Sequence, residues 1–297
     1  PVPPPDAQQP PAEATSKAPR PTAKPPLPPP PPPAPAEPAA PAPPMSTGAE
    51  VFDHLVEGFH GPACIKGASN RAWRRRYAGH PASFARHLEE ILPLLAYVSS
   101  EVDKRGLPAE FALVPIVESW YRPDAIGPGG PAGMWQMIAS TARNHGIRIQ
   151  AGYDGRLSPV ASTDAALDYL AVLGTHFEGD WRAMAMAYNA GEYRVLRAFR
   201  ANGHRDASGE RRLPQGLSRI TYDYVAKLRA LACLIAKPER AGLSLPRDAR
   251  FVPLVRQPLP ADATTLDEAA VALVADASVL RRLNPAYRSG RIPRGVP

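Results

Sequence analysis

The sequence lacks most of the features that mark common classes of protein. No apolar run reaches the roughly 18 residues of a membrane span, and no histidine spacing matches a metalloprotease. No glycine loop continues into the Lys-Ser/Thr of a phosphate-binding loop, and there is no nucleophile elbow. These absences disfavour a bilayer-spanning protein, a zinc hydrolase, a nucleotide-binding enzyme and a serine hydrolase. We therefore predict no metal and no cofactor.

Cysteine is scarce as well, and its two positions leave two alternatives open. Cys64 and Cys233 are far apart and do not have metal-ligand spacing. They are either two separate buried thiols, or one disulfide that ties an early segment to a late helix in an oxidising compartment.

Proline, in contrast, is abundant and unevenly placed. The chain has 39 prolines, and 21 of them lie in residues 1–44. Residues 1–46 have almost no large apolar side chains, so we predict a disordered, polyproline-II-rich arm that acts as a spacer or binds a proline-recognition domain. Because the chain begins at Pro1, we expect that a targeting signal has been removed, with membrane anchoring through that signal as an option.

The remainder of the chain is basic, since the arm is locally neutral and the net charge is +7. A basic body favours an anionic partner such as nucleic acid, a membrane surface or an acidic wall polymer, without choosing among them. The cluster WRRR, residues 73–76, is either a solvated helix face or a nucleic-acid patch.

Apolar residues spaced three and four apart predict an all-α domain over residues 47–240. No strand pattern precedes Phe251, and residues 241–297 are predicted to be a small appendage with two short helical stretches. We predict a helix from 162 or 163 through 173 with a cap at Ser162 or Thr163, and one helix from 181 to 200 capped by Asp180. The other predicted helices cover residues 81–106, 108–118, 135–145, 218–237, 265–274 and 279–283.

One carboxylate, Glu118, ends the apolar run FALVPIV. Burial and the C-terminal end of a helix both raise the pKa of a carboxyl group. A carboxyl group that stays protonated near neutral pH can act as a general acid on a glycosidic oxygen. Ordinary glycosidases add a second carboxylate, and Asp124, Glu178 and Glu192 are the nearby candidates. A structural, ion-paired glutamate is the alternative.

Three ordered motifs extend this interpretation: Glu118-Ser119, then Gly133-Met134-Trp135-Gln136, then Ala187-Tyr188-Asn189-Ala190-Gly191. Together with LVPIVES, AGMWQMIASTARNHGI and AYNAGEYRV, they resemble the lytic transglycosylases with a goose-type-lysozyme-like (SLT) fold, most closely the membrane-bound transglycosylase D branch. The similarity runs from about residue 81 to residue 237.

The resemblance implies a reaction and a substrate. Glu118 would protonate the oxygen between N-acetylmuramic acid and N-acetylglucosamine in peptidoglycan. The muramic 6-hydroxyl would then attack C1, Glu118 would take up its proton, and a 1,6-anhydro sugar would form. This reaction needs neither water nor a second carboxylate. The arm and a removed signal, in turn, predict a periplasmic protein, with outer-membrane or cell-envelope association as an option.

The resemblance also implies substrate-binding residues. Ser119 would orient the Glu118 carboxyl group or contact sugar, Met134 and Gln136 would line the cleft, and Trp135 is left as a core residue. Tyr188 and Asn189 would hold Glu118 and the cleft floor by hydrogen bonds, although Tyr188 alone could be a core tyrosine.

The sequence departs from the family pattern late in the domain. Tyr224 matches the cleft tyrosine, but Ile220 replaces the usual acid and Tyr222 the usual arginine, which leaves the local support of that helix open. The other functions considered are a muramidase of the same fold, with Asp124 as the residue to test, a non-catalytic wall-binding protein, and a nucleic-acid binder. We favour peptidoglycan as the partner and predict no nucleic acid; the oligomeric state is left open.

Overall fold

A computed structural model describes residues 43–62, 64–203 and 213–296, and the chain from Pro43 onward forms one compact unit. The predicted arm over residues 1–46 lies almost wholly outside the described residues. The predicted all-α class is confirmed. The helices of the described residues are α1 (Gly48–Glu57), α2 (Ala68–Tyr77), α3 (Pro81–Lys104), α4 (Val114–Ser119), α5 (Ala139–Asn144), α6 (Pro159–His176), α7 (Trp181–Ala190), α8 (Glu192–Ala201), α9 (Arg219–Ala236), α10 (Leu266–Ala272) and α11 (Ala277–Leu283).

Helix α9 packs against several other helices of the domain. It contacts α1, α2, α4 and α7, and its buried side chains recur every three or four residues, as in Tyr224, Leu228 and Leu231. Because α4 packs on α9, residues far apart in sequence meet where these two helices touch. The main hydrophobic core surrounds this contact.

Side-chain caps set several helix starts. Asp180 accepts hydrogen bonds from the backbone N–H groups of Arg182 and Ala183, which confirms the predicted cap of α7. Ser162 and Thr163 do not cap α6, because the helix begins earlier, at Pro159, and Ser158 is the cap. Proline at the first helical position suits that earlier start, since its missing N–H would have no partner there.

The predicted helix over 181–200 is wrong in one respect, because it is divided at Gly191. This glycine has φ of 88°, a left-handed conformation that ends α7, and α8 begins at the next residue. Likewise, the predicted helix over 108–118 is a 3₁₀ segment, Ala109–Leu113, followed by α4.

The predicted helix over 135–145 is also shorter than expected. Gln136 has φ of 47°, so the chain turns there, and α5 starts only at Ala139. The expectation of no strand before residue 251 is wrong as well. Two short strands, β1 (Ile149–Gln150) and β2 (Tyr153–Asp154), pair antiparallel, with Gln150 opposite Tyr153.

The C-terminal segment, residues 241–296, packs along the helical body. The backbone N–H of Asp154 donates to the carbonyl of Ala286, and the N–H of Gly48 donates to Ala249. Near its start, Arg256 forms ion pairs with Asp164 at 2.6 Å and Glu101 at 3.2 Å. Backbone and ionic contacts thus join this segment to α1, α3, α6 and β2.

Cys64 and Cys233 form a disulfide, so the structure has the second of the two arrangements that the sequence left open. The bond fastens the segment before α2 to the last turn of α9. Helix α2 also packs along α9, so the disulfide and side-chain packing both hold these two helices together.

Candidate active site

Glu118 lies in the last turn of α4, as the sequence predicted, and the chain leaves this helix through an unusual turn. Trp120 and Tyr121 have φ of 55° and 58°, both in the left-handed region. This conformation is strained for a residue other than glycine and persists only where the surroundings hold it, and such strain is common at functional sites. The Tyr121 hydroxyl donates to the Ala112 carbonyl at 2.6 Å, and Trp120 packs edge-on against Phe84 with 6.0 Å between ring centroids.

The Glu118 carboxyl group receives one hydrogen bond from a tyrosine on α9. The Tyr224 hydroxyl donates to Glu118 Oε1 at 2.6 Å. Burial raises the pKa of Glu118, while the Tyr224 hydrogen bond and the positive charge of Lys227 offset part of that rise. Burial therefore favours the protonated form of this carboxyl group, and the Tyr224 hydroxyl is a donor for its charged form.

Ser119, the residue after Glu118, contacts the backbone of Met134. The Ser119 hydroxyl donates to the Met134 carbonyl at 3.0 Å and accepts from the backbone N–H of Arg122 at 3.2 Å. Ser119 thus links α4 to the 133–136 turn. The Met134 side chain is 0 % exposed, so in this structure it packs in the core and does not line a cleft as expected.

The turn at 133–136 is built around two buried contacts. Trp135 is 0 % exposed and its indole N–H donates to Thr163 Oγ1 at 3.1 Å, which makes it a core residue, as interpreted from the sequence. The Gln136 amide donates to the Gly133 carbonyl at 2.8 Å and to Ala125 at 3.3 Å. Gln136 is half-buried, and its side chain closes the loop that precedes it.

Tyr188 is oriented by the same turn rather than by the carboxylate. Its hydroxyl donates to the Trp135 carbonyl at 2.8 Å, so the predicted hydrogen bond to Glu118 is replaced by one to the backbone beside it. Tyr188 still lies near enough for the charge of Glu118 to raise its pKa, after burial, which is the larger cause. Asn189, the next residue, is exposed.

The two departures from the family pattern have different outcomes. Ile220 is 70 % exposed on the first turn of α9 and supports nothing in the core. Tyr222 donates to the Pro214 carbonyl and accepts from the backbone N–H of Leu217, while Ser218 caps the helix. The start of α9 therefore has support of its own without the usual acid and arginine.

None of the three other candidate carboxylates lies in a buried, apolar environment like that of Glu118. Asp124 and Glu178 are exposed, and Glu192 lies 3.7 Å from the His176 imidazole. Glu110 is buried, but it accepts hydrogen bonds from the backbone N–H groups of His60 and Gly61, which gives it a structural role.

Two residues of the site were missed by the sequence reasoning. Lys227 lies 4.7 Å from the Trp73 ring and acts on Glu118 by its charge. Tyr77 packs against Trp120 with 6.3 Å between ring centroids. Lys227 follows Tyr224 by three residues on one helix, so helical spacing alone could have placed both on the same face.

Within the described ranges no group of three or more His, Cys, Asp or Glu side chains could hold a metal ion. Among the helices of the same residues, none is both long enough and apolar enough to cross a bilayer.

Comparison with known proteins identifies a family that part of this chain matches. Residues 98–210 match the family described as "Transglycosylase SLT domain", and this range includes Glu118 and Tyr188. The chain contains a transglycosylase SLT domain. Its helical architecture is the lysozyme-like fold of that family, as the sequence predicted.

Two relatives of this SLT domain are named for activity on the cell wall. The chain is 41% identical over 155 residues to "Membrane-bound lytic murein transglycosylase D" of Escherichia coli (strain K12), which covers 52% of this chain and 34% of that protein. It is 42% identical over 79 residues to "Peptidoglycan transglycosylase gp16" of Escherichia phage T7, which covers 26% of this chain and 6% of that protein. The chain thus spans about a third of the length of the first relative.

Proposed function

We propose that this chain is a peptidoglycan lytic transglycosylase in which Glu118 acts first as acid and then as base. The observation that carries the proposal is the position of Glu118. It is a carboxyl group with a pKa raised by burial, at the end of a helix inside an SLT domain, with one tyrosine donor at 2.6 Å. The names of the relatives supply the substrate class, peptidoglycan.

In the proposed reaction, Glu118 gives its proton to the oxygen that links N-acetylmuramic acid C1 to N-acetylglucosamine. The C1–O bond breaks and positive charge develops at C1. The muramic 6-hydroxyl then attacks C1, and its proton returns to the Glu118 carboxylate, so that the enzyme is regenerated and a 1,6-anhydro ring forms. The Tyr224 hydroxyl stabilises the carboxylate that exists between the two proton transfers.

The other residues of the site have positioning roles in this proposal. Ser119 and Tyr188 fix the 133–136 turn beside Glu118 through the Met134 and Trp135 carbonyls. Gln136, on the same turn, and Asn189, exposed at the end of α7, are the polar groups offered to sugar hydroxyls.

The experiment that tests the proposal is mass spectrometry of soluble products from purified peptidoglycan. Wild type should release 1,6-anhydro muropeptides, and Glu118→Gln should release none, because the amide is isosteric but cannot donate the proton. Asp124→Asn is the matched control, since it makes the same change at an exposed carboxylate and should leave the products unchanged.

Two results would overturn the assignment. Products with a reducing end, one water heavier, would identify a muramidase, and loss of activity in Asp124→Asn would point to the residue that holds the water. Product release by Glu118→Gln at the wild-type rate would remove Glu118 from the reaction.

Because the relatives are named for activity on cell-wall polymer, we also place the protein in the periplasm or cell envelope. Recovery of the native chain from the cytosol would contradict this.

A further inference from the structure

A groove of about 620 Å³ lies beside the Cys64–Cys233 disulfide, between α2 and the end of α9. It is lined by cations and by no carboxylate. The basic residues of this groove, called the basic groove below, are Lys66, Arg71, Arg74, Arg75, Lys237 and Arg240.

The cations of the basic groove have no carboxylate partner in the part of the chain that the structure describes. Within these residues no ion pair within 4.0 Å joins any of the six to a carboxylate, and the one side-chain hydrogen bond among them is from Arg74 to the carbonyl of Ile65 at 3.3 Å. Like charges that share one groove repel each other, so such a cluster costs stability unless an anion binds there. Part of this groove is the WRRR cluster of the sequence, whose role the catalytic site does not explain.

The basic groove is connected to the active site by α9 itself. Tyr224 contacts Glu118, Lys227 lies beside Trp73, and Cys233 and Lys237 line the groove farther along the same helix. At a rise of about 1.5 Å per residue, Cys233 lies about 13 Å along the axis from Tyr224. These nine residues also turn the helix by about two and a half turns, so Cys233 projects from the side of α9 opposite Tyr224.

Resting on the proposed function, we infer that the basic groove binds the carboxylates of the peptide stems that murein glycan carries. A stem of four residues spans about 13 Å when extended, so the stems of a bound strand extend well beyond the sugar chain. Stems carry several carboxylates, and arginine binds carboxylates through paired donors. The groove would make the protein prefer peptide-bearing glycan over bare glycan.

The test measures binding, so that it does not depend on turnover. In the Glu118→Gln background, the full chain is titrated with soluble peptide-bearing glycan strands and with the same strands after an amidase has removed the stems. The groove variant is Arg71→Gln/Arg75→Gln, two exposed residues of α2. The control, Arg282→Gln/Arg291→Gln, removes the same charge from exposed positions of the C-terminal segment.

We expect peptide-bearing strands to bind more tightly than bare strands to the parent protein and to the control. The groove variant should lose about 5- to 10-fold in affinity for peptide-bearing strands and nothing for bare strands. Amidation of the stem carboxylates should remove the same preference. Melting curves check folding and should not move to lower temperature, because neither arginine has a carboxylate partner among the described residues and the change removes like-charge repulsion.

An equal effect of the groove variant on both kinds of strand, or no effect on either, would overturn the inference. So would a groove variant that loses binding only to vesicles containing phosphatidylglycerol, because that result would assign the groove to a membrane surface. The two proposals fail separately. Anhydro products without stem preference reject only the groove assignment, and stem preference without product rejects only the reaction.

Discussion

At the scale of single residues, the contact between Tyr224 and Glu118 can be tested directly. Removing the hydroxyl in Tyr224→Phe should lower kcat about 10- to 100-fold, because a hydrogen bond to a charged group contributes about 1.5–3 kcal/mol. This bond also lowers the pKa of Glu118, so its loss should move the pH–rate profile toward higher pH. Tyr222→Phe, on the same helix, is the control and should leave that profile in place; an unmoved profile in Tyr224→Phe would contradict the role.

Glu118 should also make the stability of the domain depend on pH. The folded protein holds this proton to higher pH than the unfolded chain, because burial raises the pKa of Glu118. The stability linked to this group is complete below the usual glutamate pKa and is lost as pH rises through the raised folded pKa. Glu118→Gln lacks this loss, so its advantage in free energy of unfolding over wild type should grow with pH and then level off.

Urea unfolding between about pH 4 and pH 8 measures this difference. Glu90→Gln, a change at an exposed carboxyl group of α3, is the control. If the difference in free energy of unfolding between Glu118→Gln and wild type stays constant or shrinks as pH rises, the surroundings of Glu118 do not favour its protonated form. Catalytic groups often lower the stability of the folded protein, so replacing one of them often raises the free energy of unfolding.

The sequence identified the acid but not its whole surroundings. Glu118 was recognisable because an apolar run ends in it, and Tyr224 was matched by the family pattern. The packing of Tyr77 and Trp73 near the site was not predictable, since it depends on how α2 lies along α9. The left-handed Trp120 was also out of reach, because a bulky residue gives no local sign of such a conformation.

At the scale of structural elements, the turn that follows Gly133 depends on glycine. Gly133 has φ of 76°, and a Cβ there would lie 1.8 Å from the Arg156 carbonyl oxygen. Gly133→Ala should therefore destabilise the domain by more than about 2 kcal/mol, through clash as well as strain. Gly129→Ala is the control, because Gly129 has φ of 83° but open space around it, and should cost only about 1 kcal/mol.

Thermal and urea unfolding would measure the loss of stability in Gly133→Ala and in Gly129→Ala. Equal losses would mean that the Arg156 carbonyl moves aside and that strain alone sets the cost. Activity should fall with stability in Gly133→Ala, because the same turn presents the carbonyls that receive Ser119 and Tyr188.

Helix caps were predictable where one polar residue stood alone before an apolar pattern, as Asp180 does. The cap of α6 was misplaced because Ser158, Ser162 and Thr163 all suit that position, and the buried face of α6 begins before the last two. The short strand pair was missed because a strand of two residues is too short to show an alternating pattern.

At the scale of the whole molecule, the disulfide should contribute substantially to stability. Cys64 and Cys233 are 169 residues apart, and closing so long a loop restricts the unfolded chain. Reduction, or Cys64→Ser/Cys233→Ser, should lower the free energy of unfolding by about 2–5 kcal/mol. Urea unfolding with and without reductant measures this, and the double variant should not respond to reductant. A wild-type chain that is equally insensitive would contradict the expectation.

The class of the fold was predictable as a whole, because regular apolar spacing runs through most of residues 47–240. The docking of the C-terminal segment was not, since it depends on ion pairs such as Arg256 with Asp164 and on backbone pairing with β2, both far apart in sequence. Charge and turn signals in such a segment predict its local structure, but not the surface that it covers.

The contacts of that segment also have a practical meaning for recombinant work. The sequence pattern invites a shortened chain that stops near residue 240. Such a chain would leave Asp164 and Glu101 without Arg256, and the edge of β2 without Ala286. A soluble product for crystallisation or labelling should therefore be designed to keep residues 43–296 together.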